Sequence, residues 1–229
     1  MTSSAAADDR PETSVAYAER RIKTDIASGK VKSGDRLSPH LLAPVFGLSH
    51  IPIREALSSL SAAGYVVHRR GKGYFARELS SEDLADIYHW RSVLEREALL
   101  LAVPKMTDDD IAQMARLVSR MEPLTGPEQR LDFLELNREF HFVAFRRAGS
   151  SRLLHFLNYL WDNAQPYATL GKIDSVQNQR EHLELIPLFA AHDTEAVIAK
   201  MDKHRERRVQ HVAEWEAAQA HQPPLADQA

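Results

Sequence analysis

The chain has 229 residues, enough for two domains that each bury a core, and its 44% hydrophobic and 27% charged content excludes a disordered polymer. The absence of cysteine excludes disulfides and thiolate metal sites. The net charge of −3 divides unevenly: residues 12–79 hold 11 Lys and Arg against 6 Asp and Glu, while residues 80–229 hold 17 against 24. A small basic module joined to a larger acidic one suits a polyanion binder attached to something else.

Residues 1–12 are small, polar and acidic, and are expected to be a disordered tail. They lack the basic start and apolar stretch of a signal peptide, and no apolar run approaches the roughly 18 residues of a membrane span. The expected location is the cytoplasm, with no membrane partner.

Val15, Ile22 and Ile26 share one helical face, and Gly29 stops that helix. Residues 31–37 read as a turn-rich connection. Ser38 before Pro39 marks a helix start, and the short helix closes at Gly47. Ser49 caps the next helix, whose apolar residues Ile53, Ala56, Leu57 and Leu60 recur at intervals of three and four until Gly64. Residues 65–68 and 74–76 read as strands joined by a basic glycine turn, a hairpin.

After Ser80 the texture is wholly helical. Six helices are expected, over about 81–103, 107–123, 127–148, 151–170, 175–191 and 193–218, with a break at 171–174 and a second disordered tail over 219–229. Ser81, Glu82 and Asp83 read as the cap of the first. The fold class is mainly α: an N-terminal winged helix-turn-helix over 13–79 and a C-terminal antiparallel all-helical bundle over 80–218.

In a winged helix the helix after the turn enters the DNA major groove, and its first residues reach base edges. That helix begins Ser49-His50-Ile51-Pro52-Ile53-Arg54. Arg54 can donate two hydrogen bonds to guanine, worth about 1–3 kcal/mol of discrimination. Ser49 and His50 are placed to meet a base or phosphate. Arg69, Arg70, Lys72 and Gly73 at the hairpin tip suit the backbone or minor groove.

In the helical region Asn137 and His141 are four apart on one helix, while His182 and His204 lie on two later ones. Apolar neighbours at helical spacing allow all three imidazoles to face the interior, where bundles build ligand and metal sites. Three imidazoles and an oxygen suit a divalent transition metal such as zinc or nickel. By spacing alone, satisfied core histidines remain the alternative. Arg91 can grip a carboxylate through two parallel hydrogen bonds, or pair with Glu95. The run Lys203 to Arg208 reads as a solvated basic face with His204 turned inward.

Gly34, Leu37, Leu42, the run Ser49-x-x-Pro52-x-Arg54-Glu55-Ala56-Leu57, Gly64 and Gly71-Lys72-Gly73 together resemble the GntR family of transcription regulators. Arg91-x-x-Leu94-Glu95, Asn137-Arg138-Glu139-Phe140-His141, Glu181-His182 and Met201-x-x-His204 resemble the FCD effector domain of one branch of that family. The resemblance implies Arg54 as a main base reader with His40, Ser49 and His50 beside it. It also implies Asn137, His141, His182 and His204 as metal ligands. His50 stands where the family often has Arg, and Asn137 where it often has Asp. The expected function is a homodimeric DNA-binding regulator, a repressor on a near-palindromic operator, whose affinity is set by a small organic acid at or near the metal. Two alternatives are a purely structural metal and a metal-dependent hydrolase. No dedicated base, nucleophile arrangement or phosphate-cradling loop supports the enzyme.

Overall fold

The computed structural model describes residues 13–27, 30–78, 80–168 and 175–220. The expected tail over 1–12, the stop at Gly29, the break at 171–174 and residues 221–229 of the second tail lie outside the described residues. The chain forms two compact units, residues 1–77 and 78–229.

The first unit comprises α1 (Ser14–Ala27), β1 (Arg36–Leu37), α2 (Pro39–Phe46), α3 (His50–Ala62), β2 (Val66–Arg69) and β3 (Gly73–Ala76). Its sheet is antiparallel in the order β1-β3-β2, with Leu37 opposite Tyr74 and Val67 opposite Phe75. Strand β1 corrects the expectation that 31–37 is only a turn. Two residues are too few to show an alternating pattern, so tertiary pairing reveals this strand. Gly47 closes α2 in a left-handed conformation (φ 68°), which lets the chain turn sharply into α3. Ile22, Phe46, Ile53, Leu57, Leu60 and Val66 form the core beneath the helices.

The second unit is a helical bundle: α4 (Ser81–Ala102), α5 (Asp108–Met121), α6 (Arg130–Arg147), α7 (Ser151–Ala168), α8 (Ser175–Ala190) and α9 (Thr194–Ala220). Single 3-10 turns precede α5 and α6. The cap of α4 is Ser80, one residue earlier than expected, because its side chain accepts from the Asp83 amide at 3.1 Å. Thr107 and Asp110 form a capping box on α5, and Arg147 of α6 locks Asp110 from across the bundle at 2.7 Å. Helix α4 packs against α6, α7 and α9, which gathers three elements around one buried face. Helix α9 runs to Ala220, two residues into the expected tail.

Candidate functional site

In the first unit the candidate residues face solvent. Ser49, His50 and Arg54 are exposed on the opening turns of α3, whose other face holds the buried Ile53, Ala56 and Leu57. The helix period dictates this division: with 53, 56, 57 and 60 turned inward, 50 and 54 must point out. Ser49 sits at the N-cap position without a side-chain capping bond, so its hydroxyl is available. His40 on α2 stands against His50, with ring centroids 4.4 Å apart.

The hairpin turn is built around Gly71 (φ 74°) and Gly73 (φ 98°). Both angles disfavour any side chain, and Lys72 closes the turn by donating its amide to the Arg69 carbonyl at 2.9 Å. The turn thus lifts Arg69, Arg70 and Lys72 into solvent at one end of the sheet. Arg69 also covers the Phe75 ring at 4.8 Å. Among the described residues, Arg54, Arg70 and Lys72 have no side-chain partner, as cations held ready for a polyanion require.

In the second unit Arg91, His141 and His182 are buried, Asn137 and His204 are half-buried, and the three histidines crowd together. The ring centroids of His141, His182 and His204 are 5.3, 5.9 and 6.2 Å apart. They come from α6, α8 and α9. His182 is 0% exposed, and among the described residues neither of its ring nitrogens finds a hydrogen-bond partner; the same is true of His141 Nε2. Leaving such an atom bare in the interior costs about 1–3 kcal/mol, so the cluster asks for a partner of its own. Burial keeps both rings neutral: it lowers the His182 pKa to about 3, helped by His204 nearby, and drives His141 well below its ordinary range. A neutral imidazole is the ligating form. His204 Nδ1 lies 2.6 Å from Glu181, which Arg207 also grips. Among the described residues, no three His, Asp or Glu side chains are already arranged around one point as an ion requires. The bare buried nitrogens fit a metal, while the rings stand clustered without closing on it.

Beside the rings lies a cavity of about 50 Å³, lined by Asn137 and His204 together with Arg91, Arg208, Trp161 and Asn178 among others. Asn137 thus shares a cavity wall with His204, one of the three clustered histidines. The volume admits roughly three to five water-sized groups.

Arg91 occupies that wall but is already paired. Its Nε donates to Glu95 Oε1 at 2.9 Å, and its guanidinium lies 3.8 Å from the centre of the Trp161 ring. Glu95 is wholly buried; it also accepts from Trp161 Nε1 at 2.8 Å and from Arg205 of α9. Burial pushes the Glu95 carboxyl up, but the two guanidiniums outweigh it and hold the group below the usual carboxylate range.

Arg205 overturns the reading of 203–208 as a solvated face. It is 4% exposed and bonds Glu95 and Asp202. It follows Met201 by four residues, on the buried stripe of α9, so α4 covers it. Arg208, four residues beyond His204, was missed for the same reason. It reaches the cavity and donates to the Tyr167 carbonyl at 3.1 Å, with no carboxylate partner among the described residues. Its spacing from His204 was the signal that could have found it. Arg138 points away from the cluster to Asp162 and Asn158, as adjacent helical positions diverge.

Comparison with known proteins follows the same two units. The family model described as "Bacterial regulatory proteins, gntR family" matches residues 15–75, and the FCD domain model matches residues 86–207. The chain is 29% identical to the HTH-type transcriptional repressor GlaR of Escherichia coli over 196 residues, covering 81% of this chain and 89% of that protein. It is 27% identical to the Nta operon transcriptional regulator of Aminobacter aminovorans over 177 residues, 76% of this chain and 84% of that one. Among solved structures, E. coli McbR/YncC shares the fold with a TM-score of 0.69 at 22% identity, covering 89% of this chain and 99% of that one. A GntR family member from Pseudomonas syringae aligns with a TM-score of 0.55 at 28% identity, covering 90% and 87%.

Proposed function

The chain belongs to the GntR family, carries an FCD domain as its second unit and is a DNA-binding transcription regulator rather than an enzyme; from that premise we propose that it is a homodimeric repressor released from a near-palindromic operator by a small carboxylate. The observation that carries the effector half of this reading is the cavity beside the histidine cluster.

On the DNA side, Arg54 with Ser49, His40 and His50 meets the bases, while Arg69, Arg70, Lys72 and Gly73 meet the backbone. Two copies reading two half-sites require two-fold symmetry. Trp90, Val93, Leu100 and Leu101 leave an exposed apolar stripe on α4 that a second copy can cover.

On the effector side, Arg91 spends its charge on Glu95, whereas Arg208 has a neutral carbonyl and no carboxylate partner among the described residues. Arg208 therefore takes the carboxylate first, with Arg91 behind it. His141, His182 and His204, with Asn137 as an oxygen donor, would hold a divalent transition metal, zinc or nickel, which supplies a Lewis-acidic point on the cavity wall when bound. The neutral Asn137 oxygen binds a cation less strongly than a carboxylate does. The effector acts only in so far as it binds one arrangement of the DNA-binding units better than another.

The test is a thermal-shift screen of the zinc- or nickel-loaded protein against acids of two to four carbons, repeated with a chelator and with Arg208→Met. One acid is expected to raise the melting temperature only with metal, less in the variant, and to weaken operator binding. If no acid moves the melting temperature, or the active acid leaves operator affinity unchanged, the effector reading fails.

A further inference from the structure

His50 is the first residue of α3, directly after the tight turn. Its Nδ1 lies 3.3 Å from the main-chain carbonyl oxygen of Pro39, at the start of α2. A carbonyl oxygen can only accept, so Nδ1 carries the hydrogen and donates it. In a neutral imidazole the remaining nitrogen, Nε2, is then a bare lone pair. Turning the ring over would put a carbon where Nδ1 stands and break the bond. His40 confines the ring further from one side, at 4.4 Å between centroids. The result is an exposed acceptor of fixed direction at the leading end of the helix that carries Arg54.

We propose that His50 is a specificity-determining residue of opposite polarity to Arg54: it selects, on the strand it faces, a base that presents an amino group in the major groove. This rests on the reading of α3 as the DNA-recognition helix. Arginine offers only donors and matches the O6 and N7 acceptors of guanine. The His50 lone pair needs a donor, which the major groove supplies at adenine N6 or cytosine N4. Guanine and thymine present oxygen acceptors there, and a phosphate presents nothing else, so all three repel it. The half-site therefore contains a guanine read by Arg54 and, near it, an adenine or cytosine read by His50.

The experiment is selection from a pool of random duplex DNA with the full chain at pH 8, above the ordinary imidazole range. It is run for the wild type and for His50→Arg, with melting temperatures recorded for both. The wild type is expected to enrich a two-fold symmetric consensus with adenine or cytosine at one position per half-site, which also shows which amino base is preferred. His50→Arg is expected to change that position to guanine and leave the rest of the consensus alone, with an unchanged melting temperature. Duplexes carrying guanine there should bind the wild type about fivefold less tightly, the worth of one net hydrogen bond. A wild-type consensus that His50→Arg does not alter overturns the proposal alone. So does guanine or thymine in the wild type at the position that the variant alters. Failure of the wild type to enrich any sequence overturns the DNA-reading role of α3, and this proposal with it.

Discussion

The two units handle their charged residues in opposite ways. In the first, Arg54, Arg70 and Lys72 stand in solvent without side-chain partners among the described residues, above a core that does not need them. In the second, Arg91 and Arg205 are buried and both bound to buried Glu95, and His141 and His182 beside them are as deep. An exposed cation can be aimed at a ligand without weakening the fold. A buried one must be satisfied before any ligand arrives, so fold and proposed binding site share the same atoms. The difference teaches that function and stability are separable in the DNA-binding unit and joined in the helical one.

Three substitutions test that separation. Glu95→Gln keeps the shape but takes the counter-ion from buried Arg91 and leaves buried Arg205 with Asp202 alone. It is expected to cost about 3–5 kcal/mol in urea unfolding. A variant as stable as the wild type would break the comparison, since the buried network would then be dispensable. Arg54→Ala sharpens the comparison from the other side. Specific operator binding should weaken by about 1–3 kcal/mol, while unfolding stability stays within about 0.5 kcal/mol of the wild type. Thr107→Ala calibrates the scale, because Thr107 is polar and structural but far from the cavity. Losing its half of the capping box should cost about 1 kcal/mol of stability and leave acid binding unchanged.

The capping box adds a pH dependence. Burial pushes the Asp110 carboxyl up, but the Arg147 hydrogen bond and the two bonds to Thr107 outweigh it and hold it below its ordinary value. A depressed carboxylate stabilises the fold above its unfolded pKa, near 4, and that contribution disappears as the pH falls through the lowered folded value. Asp110→Asn should flatten this acid limb of the stability curve.

The same contrast explains what could be read from the residues alone. Arg54 and His50 were legible because the apolar period of α3 assigns every inward position and leaves these two outside. The turn glycines announced the hairpin through the φ values they permit. The partnership of Arg91 with Glu95 was legible as a spacing of four. Arg205 was not, because its carboxylate partner is 110 residues away in the sequence, and a local run of basic residues looks solvated until α4 is laid over it. Strand β1 stayed hidden because its pairing lies with β3, which follows it by more than thirty residues. Asn137 and the three histidines were nameable as candidates. Their convergence, and the bare nitrogens that make it informative, belong to the packing of α6, α8 and α9.

Trp161 gives the helical unit its own optical reporter. Its indole N–H is fixed on a buried carboxylate, a guanidinium lies against its ring, and the ring forms part of the cavity wall. An indole's emission follows the electric field across it, and here that field is set by Arg91 and Glu95. Any anion drawn into the cavity changes the field at the chromophore without first having to move the backbone. On the proposed function, filling of the site would be read in the protein's ultraviolet fluorescence, and timed separately from the proposed release of the operator.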